Sequence, residues 1–319
     1  MKPVFEQRAS TILFNLFRQL DHTKSVIVPA NVCPIVAVTL MKAGQPFELV
    51  DINKETLCLD EEFTLHQIKK HPQKYAGVLF VHTYGNPHQP EPFFHYIKQI
   101  APDILIIDDR CPGLPEFDLP PTAADAVIFS TGYAKYIELG FGGYGYIKPE
   151  VKYEPKQLPF NEHDHQALVE QERQAQETLA PFSYHDSDWL DTTKPKISFD
   201  QYKLEIIAKI PEARLHQQKL NQIYAKNIPA KYQLGDEFSQ WRFSILVPDK
   251  VKLLRMIFDH GLFASSHYPS LNGIFGHGAD QNAAKLHSQV VNLFNNHRYT
   301  EDQAKLTCDV INKHLKECA

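Results

Sequence analysis

A lysine, Lys135, stands in the stretch FSTGYAKYIELGFGGYGYI, between two short apolar runs, 126–129 and 144–147, that each read as a buried strand. In such a loop its amine can be pressed against a bound cofactor and serve as a nucleophile. Gly140, Gly142, Gly143 and Gly145 follow it, so the backbone there can turn sharply or approach a ligand closely. Other reactive side chains stand just past further apolar runs: Asn31 after Pro29, His82 and Tyr84, the pair Asp108 and Asp109, and Ser130 five residues before the lysine. In open parallel sheets ligands bind beyond the carboxyl ends of the strands. A histidine, a carboxylate, a hydroxyl and a lysine are therefore expected on one rim.

The elements that must build this rim alternate. The spacing of Leu13, Leu16, Phe17 and Leu20 predicts a helix from Ala9, with Ser10 and Thr11 in its first turn, where small hydroxyls cap the helix or hold an anion. Strands are predicted at 26–28, 47–50, 77–81, 104–107 and 126–129, with helices at 34–43, 61–70 and 92–100 between them. That order implies an α/β fold with a largely parallel sheet flanked by helices. Between Lys148 and Lys196 charge, proline and histidine accumulate, which reads as a solvated, partly flexible excursion around a polar helix at 163–179. A long helix at 202–225, a strand at 241–247, a helix at 250–260 and a capped C-terminal helix from Thr300 complete the chain. The expected division is a large cofactor-binding domain over 1–212, with the polar excursion at 150–196, and a smaller α+β domain over 213–319.

Composition narrows the function. The chain has 319 residues, 43% of them hydrophobic, and a formal charge of −5. It can bury a core and has no basic signature for nucleic acid. No apolar run is long enough for a membrane span, and the N-terminus lacks a signal-peptide core, so a soluble cytoplasmic protein is expected. Five cysteines without a C-x-x-C pair suggest neither a disulfide framework nor a zinc site. His163, Asp164 and His165 lack further ligands at a suitable spacing, so no metal is expected. Gly140, Gly142 and Gly145 fit the G-x-G-x-x-G pattern of dinucleotide sites, but they precede a strand instead of opening a helix.

In pieces through nearly its whole length the chain resembles the fold-type-I pyridoxal phosphate (PLP) enzymes, and among them the DegT/StrS-type nucleotide-sugar aminotransferases. The resemblance is carried by VIVPANVCPIVAVTLMKAGQPFELVDINKETLCLD, GVLFVHTYG, LIIDDRCPG and DAVIFSTGYAKYIELGFGG, and more faintly by FASSHYPSL and NLFNNHRYTEDQ. It implies pyridoxal 5'-phosphate as cofactor, with Lys135 forming the internal aldimine and Asp109 partnering the pyridinium nitrogen. Ser130, Ser10 and Thr11 would touch the phosphate, Cys33 would cover the ring where relatives often place an aromatic, and His82 would lie near the rim. It further implies transfer of an amino group from glutamate to a nucleotide-linked keto-sugar in a homodimer. Arg242, His267 and Tyr268 are the substrate candidates.

Chemistry agrees with these roles. A partly dry pocket favours the neutral lysine amine that condenses with an aldehyde, and a carboxylate at the pyridine nitrogen keeps the ring protonated and electron-withdrawing. Two positions depart from the family pattern: Pro112 replaces a common glutamine, and Asp200 replaces an asparagine that relatives send to the partner subunit's phosphate. A carboxylate about 4 Å from a phosphate costs roughly 4 kcal/mol per charge pair at an effective dielectric of 20. The alternative expectation is a relative altered at these positions that binds or regulates, or that runs another PLP reaction such as a lyase.

Overall fold

Seven strands form the sheet that positions the rim; the structure is a computed structural model and describes residues 1–318. In chain order the strands are β1 (Lys2–Glu6), β2 (Ser25–Pro29), β3 (Phe47–Val50), β4 (Tyr75–Val81), β5 (Leu105–Asp109), β6 (Ala126–Ser130) and β7 (Gly143–Ile147). Their spatial order is β1-β7-β6-β5-β4-β2-β3. β2 to β6 pair in parallel, while β7 runs antiparallel to β6 and β1 antiparallel to β7. The parallel strands are apolar along their length because both faces are covered.

Side chains alternate along each strand, so the sheet carries two cores. One gathers Val26, Val28, Leu79, Ile107 and Ile128 against helices α1 (Ala9–Phe17) and α2 (Pro34–Ala43). The other gathers Ile27, Val78, Phe80, Ile106 and Val127 against α3 (Glu61–Lys70) and α4 (Glu91–Ile100). Local punctuation fixes the helix ends. Asp60 caps α3 by accepting from the Phe63 amide at 2.9 Å, and α2 has proline in its first turn and Gly44 at φ 70° after its last.

The segment expected to be a solvated excursion is largely exposed, but it is pinned to the large sheet's core at a few points. Its helix α5 (Glu162–Thr178) buries Leu168 and Ala175 in the core beside α1 and α2, and Trp189, Leu190 and Thr192 beyond it are buried as well. Few apolar side chains suffice because they fall on one face of α5.

Helix α6 (Phe199–Asn227) begins at a capping box between Ser198 and Gln201 and passes from one core to another. Tyr202 and Ile206 pack with the large sheet, whereas Leu220 and Tyr224 join a third core. That core is completed by β8 (Phe243–Leu246), α7 (Lys250–Asp259), β9 (Ala264–Ser265), β10 (Val290–Leu293) and α9 (Glu301–Glu317), with strand order β8-β10-β9. Helix α8 (Gln281–Gln289) precedes β10, and its Ala283 and Leu286 lie in the core of the large sheet together with Leu271, Ile274 and Phe275. Among the described residues no helix is long and apolar enough to cross a membrane.

Candidate functional site

Alternation along β5 sends its last two carboxylates to opposite faces of the sheet. Asp109 shares a face with Ile107 and lines a cavity of about 540 Å³ at the carboxyl ends of the strands. The Cys111 amide donates to its Oδ1 at 2.8 Å. Burial raises its carboxyl above the usual carboxylate range, against the opposing pull of the Cys111 hydrogen bonds and the Lys135 charge. Asp108 faces the other way and is held by His82 and Arg110, both at 2.8 Å. Burial pushes Asp108 upward, but these two partners outweigh it and hold its carboxyl below the usual range.

Lys135 enters the same cavity from the loop after β6. The loop is pinned one residue earlier: Ala134 has φ 57°, and its carbonyl accepts from the Trp241 indole Nε1 at 2.7 Å. Trp241 is itself stacked on Tyr84 at 6.2 Å and on Tyr268 at 6.1 Å, so its ring is fixed on both sides. Trp241→Phe keeps the stack and deletes the bond. It is expected to weaken formation of a covalent adduct at Lys135 by roughly tenfold, the scale of one net hydrogen bond, with little change in melting temperature. Reductive trapping of a bound aldehyde checks this; unchanged trapping would remove Trp241 from the site's support.

Helix α1 points its N-terminus at the same cavity, which Arg8, Ser10 and Ser130 line. No side chain caps this helix, so the amides of Ala9 and Ser10 remain available to an anion, while that of Thr11 donates to the Arg8 carbonyl. The approach depends on Gly143 in β7, because a Cβ there would stand 2.2 Å from the Ala9 nitrogen and 2.5 Å from the Arg8 carbonyl carbon. Gly142, at φ 93°, likewise lets Tyr202 of α6 close in. These glycines are explained by chain packing against chain, not by a ligand. Gly143→Ala is expected to destabilise the fold by about 3 kcal/mol through overpacking against backbone. A denaturant midpoint within error of the parent would show that α1 can shift at no cost.

Of the ten residues singled out in the sequence, the cavity brings together Lys135, Asp109, Ser130, Ser10, Cys33, His267 and Tyr268. Burial pushes the Cys33 thiol up to about 11 and the Tyr268 phenol well above its usual range. Burial, with the nearby Arg242 charge, pushes His267 down to about 4, so it is neutral at pH 7.

The other three lie outside the cavity lining. Thr11 donates its hydroxyl to the Asp191 carbonyl at 2.8 Å and its amide to the Arg8 carbonyl, so neither group is left for a phosphate. His82 shares the face of Phe80 and Asp108, and its ring nitrogens are engaged by Asp108 and the Asn86 carbonyl, both at 2.8 Å. Arg242 is 3% exposed, with its guanidinium over the Phe294 ring at 3.7 Å and its Nε without a hydrogen-bond partner among the described residues. Burial lowers it to about 10. Asp200 sits exposed in the first turn of α6, outside the cavity lining of its own chain.

Several polar or aromatic cavity residues were not among these ten. Trp241 lines it in place of its neighbour Arg242, as strand alternation could have suggested. Cys111, the alternate of Asp109, lines it too, as does His165, which the sequence offered only as part of a rejected metal group, and so does Arg8, for which nothing local in the sequence gives a signal.

The donor set fits pyridoxal phosphate. Asp109 is a buried carboxyl without an ion-pair partner among the described residues, which a pyridinium N–H would supply. The serines and open helix terminus suit a phosphate, and the cavity volume is ordinary for a small cofactor with substrate.

No protein-family model matches the chain, and no curated protein matches it in sequence. Comparison with solved structures does match it. A Streptococcus pneumoniae protein described as a sugar aminotransferase, in its PLP form, superposes with a TM-score of 0.74 at 15% identity, covering 100% of this chain and 88% of that one. A DegT DnrJ EryC1 StrS aminotransferase from Brucella abortus gives 0.66 at 14% identity, covering 99% and 86%. The Escherichia coli GDP-4-keto-6-deoxy-D-mannose-3-dehydratase, solved with hydrated PLP, gives 0.63 at 18% identity, covering 97% and 87%. The chain has the fold of the PLP-dependent sugar aminotransferases.

Proposed function

We propose that this protein is a PLP-dependent aminotransferase that moves an amino group, from glutamate, to a nucleotide-linked keto-sugar. The observation that carries the reading is the convergence of the Lys135 amine, the buried Asp109 carboxyl and the Ser10 and Ser130 hydroxyls on one cavity. Bound there, pyridoxal phosphate supplies an aldehyde and a protonated ring that draws electrons from a carbon losing its proton. Asp109 holds the proton on the ring nitrogen. Lys135 would offer its Nζ as the nucleophile for that aldehyde and as the base that takes a proton from the substrate carbon and returns it. Ser10, Ser130 and the first amides of α1 bind the phosphate. Cys33 and Tyr268 keep water from the ring. Neutral His267, which lines the cavity, hydrogen-bonds the incoming ketone.

The domain division at residue 212 is retained in this reading, with the cofactor on the large part and Trp241, His267 and Tyr268 reaching over from the smaller one. A homodimer is part of it: Leu204, Ile207 and Leu215 share one face of α6 and are 67%, 44% and 56% exposed, which supports burial against a second copy. Five free thiols support a reducing, cytoplasmic setting.

The test is spectroscopic. Purified protein given pyridoxal phosphate is expected to gain a visible absorption band that borohydride bleaches irreversibly. Glutamate alone is expected to discharge the band, and a nucleotide-linked keto-sugar to restore it. Absence of any band overturns the reading, while a band that glutamate leaves intact reassigns the site to another PLP reaction, as in the dehydratase of the same fold.

A further inference from the structure

Arg8 lies immediately before α1 and lines the cavity beside Ser10, Ser130 and Gly132. Its guanidinium is not committed to a carboxylate among the described residues, and Nη1 donates to the Gly140 carbonyl at 2.9 Å. Asp191, another lining residue, is turned to Thr193, whose amide and hydroxyl donate to its Oδ1 at 3.0 and 2.6 Å. Gly132 leaves a small volume open between cation and hydroxyl: a Cβ built there would stand 3.4 Å from Ser130 Oγ and 3.9 Å from Arg8 Nη1. A hydroxyl, a guanidinium and an open helix terminus around one volume make a dianion site with three kinds of donor, and a guanidinium suits phosphate oxygens bidentately.

Resting on the cofactor reading above, we propose that Arg8 is the cation that holds the cofactor's phosphate. The same chain then supplies both the covalent anchor, Lys135, and the phosphate's counter-charge. Cofactor retention would then need no cation from a second copy, where Asp200 could bring only negative charge.

Titration of the full-length protein with pyridoxal phosphate and, separately, with pyridoxal, which lacks the phosphate, tests this by absorbance and by borohydride trapping. Arg8→Gln is expected to weaken pyridoxal phosphate by roughly 10- to 100-fold and to leave pyridoxal unchanged. Arg8→Lys is expected to recover part of the loss. Melting temperatures of the variants show whether they are folded, and Arg8→Lys keeps the test open if Arg8→Gln is not. Equal affinity of parent and Arg8→Gln for pyridoxal phosphate overturns the inference, and so does an equal loss for both ligands. No band in the parent protein overturns the cofactor reading itself and the inference with it.

Discussion

Lys135→Ala is expected to abolish the reducible visible band and to lower turnover by roughly 10⁴-fold, because one amine serves as nucleophile and as proton carrier. The variant should still take up pyridoxal phosphate reversibly, since Asp109, Ser10 and Ser130 remain in place. Absorbance before and after borohydride, beside single-turnover rates with glutamate, measures both effects. Retention of a reducible band would move the covalent anchor elsewhere. The next amines are Lys209 and Lys219, which line a neighbouring cavity of about 550 Å³ that Lys135 also borders.

Asp109→Asn should separate catalysis from stability. Loss of the charged partner for the ring nitrogen is expected to cost about 10²- to 10³-fold in turnover, the scale of removing one preorganised electrostatic group. In the cofactor-free protein the sign is opposite. Burial raises the Asp109 carboxyl, so the folded chain binds that proton more tightly than the unfolded chain does, and stability is lost as pH rises through the elevated value. Asparagine keeps the shape and the acceptor for the Cys111 amide and has no proton to lose. The cofactor-free variant should therefore melt at a higher temperature than the parent at pH 7, and the two should converge below about pH 4, where the unfolded carboxyl is protonated too. A lower melting point for the variant at pH 7 would mean that the ionised carboxylate is favourably solvated in the empty cavity.

The large sheet was legible because parallel strands buried on both faces must be short apolar runs, and helices between them carry strong end signals. Strand β1 was not: in KPVFE only Glu6 is buried, and what places it is backbone pairing with β7 from Lys2 opposite Ile147 to Glu6 opposite Gly143. β10 escaped because α8 runs straight into it at Val290 without a turn residue. The excursion's exposure followed from its polarity; what was not legible is that one apolar stripe on α5 pins it to the core.

Within the site, the rule that ligands lie beyond strand ends named residues on one rim without separating the two faces of the sheet. It grouped His82 and Asp108 with Asp109 and Ser130, yet two consecutive residues of a strand cannot face the same side. Parity with Phe80 and with Ile107 separates the two sets. Trp241, by contrast, reaches Ala134 across 107 residues of sequence, a contact that propensity and periodicity do not encode.

Helix α6 also gives the site a lever. Its interior proline, Pro211, has no amide to donate and crowds the carbonyl of Ile207, so bending is cheapest there. About 24 Å of helix lies beyond it at 1.5 Å per residue, and Gln217 and Asn221 on that arm hold the Gln240 and Ser239 carbonyls next to Trp241. At Gln217 and Asn221, about 9 and 15 Å beyond Pro211, a flexure of about 5° gives a shift of roughly 1 Å, enough to stretch a hydrogen bond out of range. The indole would then leave the Ala134 carbonyl and slacken the loop that aims Lys135, so straightness of one helix sets the alignment of a nucleophile on the opposite side of the sheet from its root.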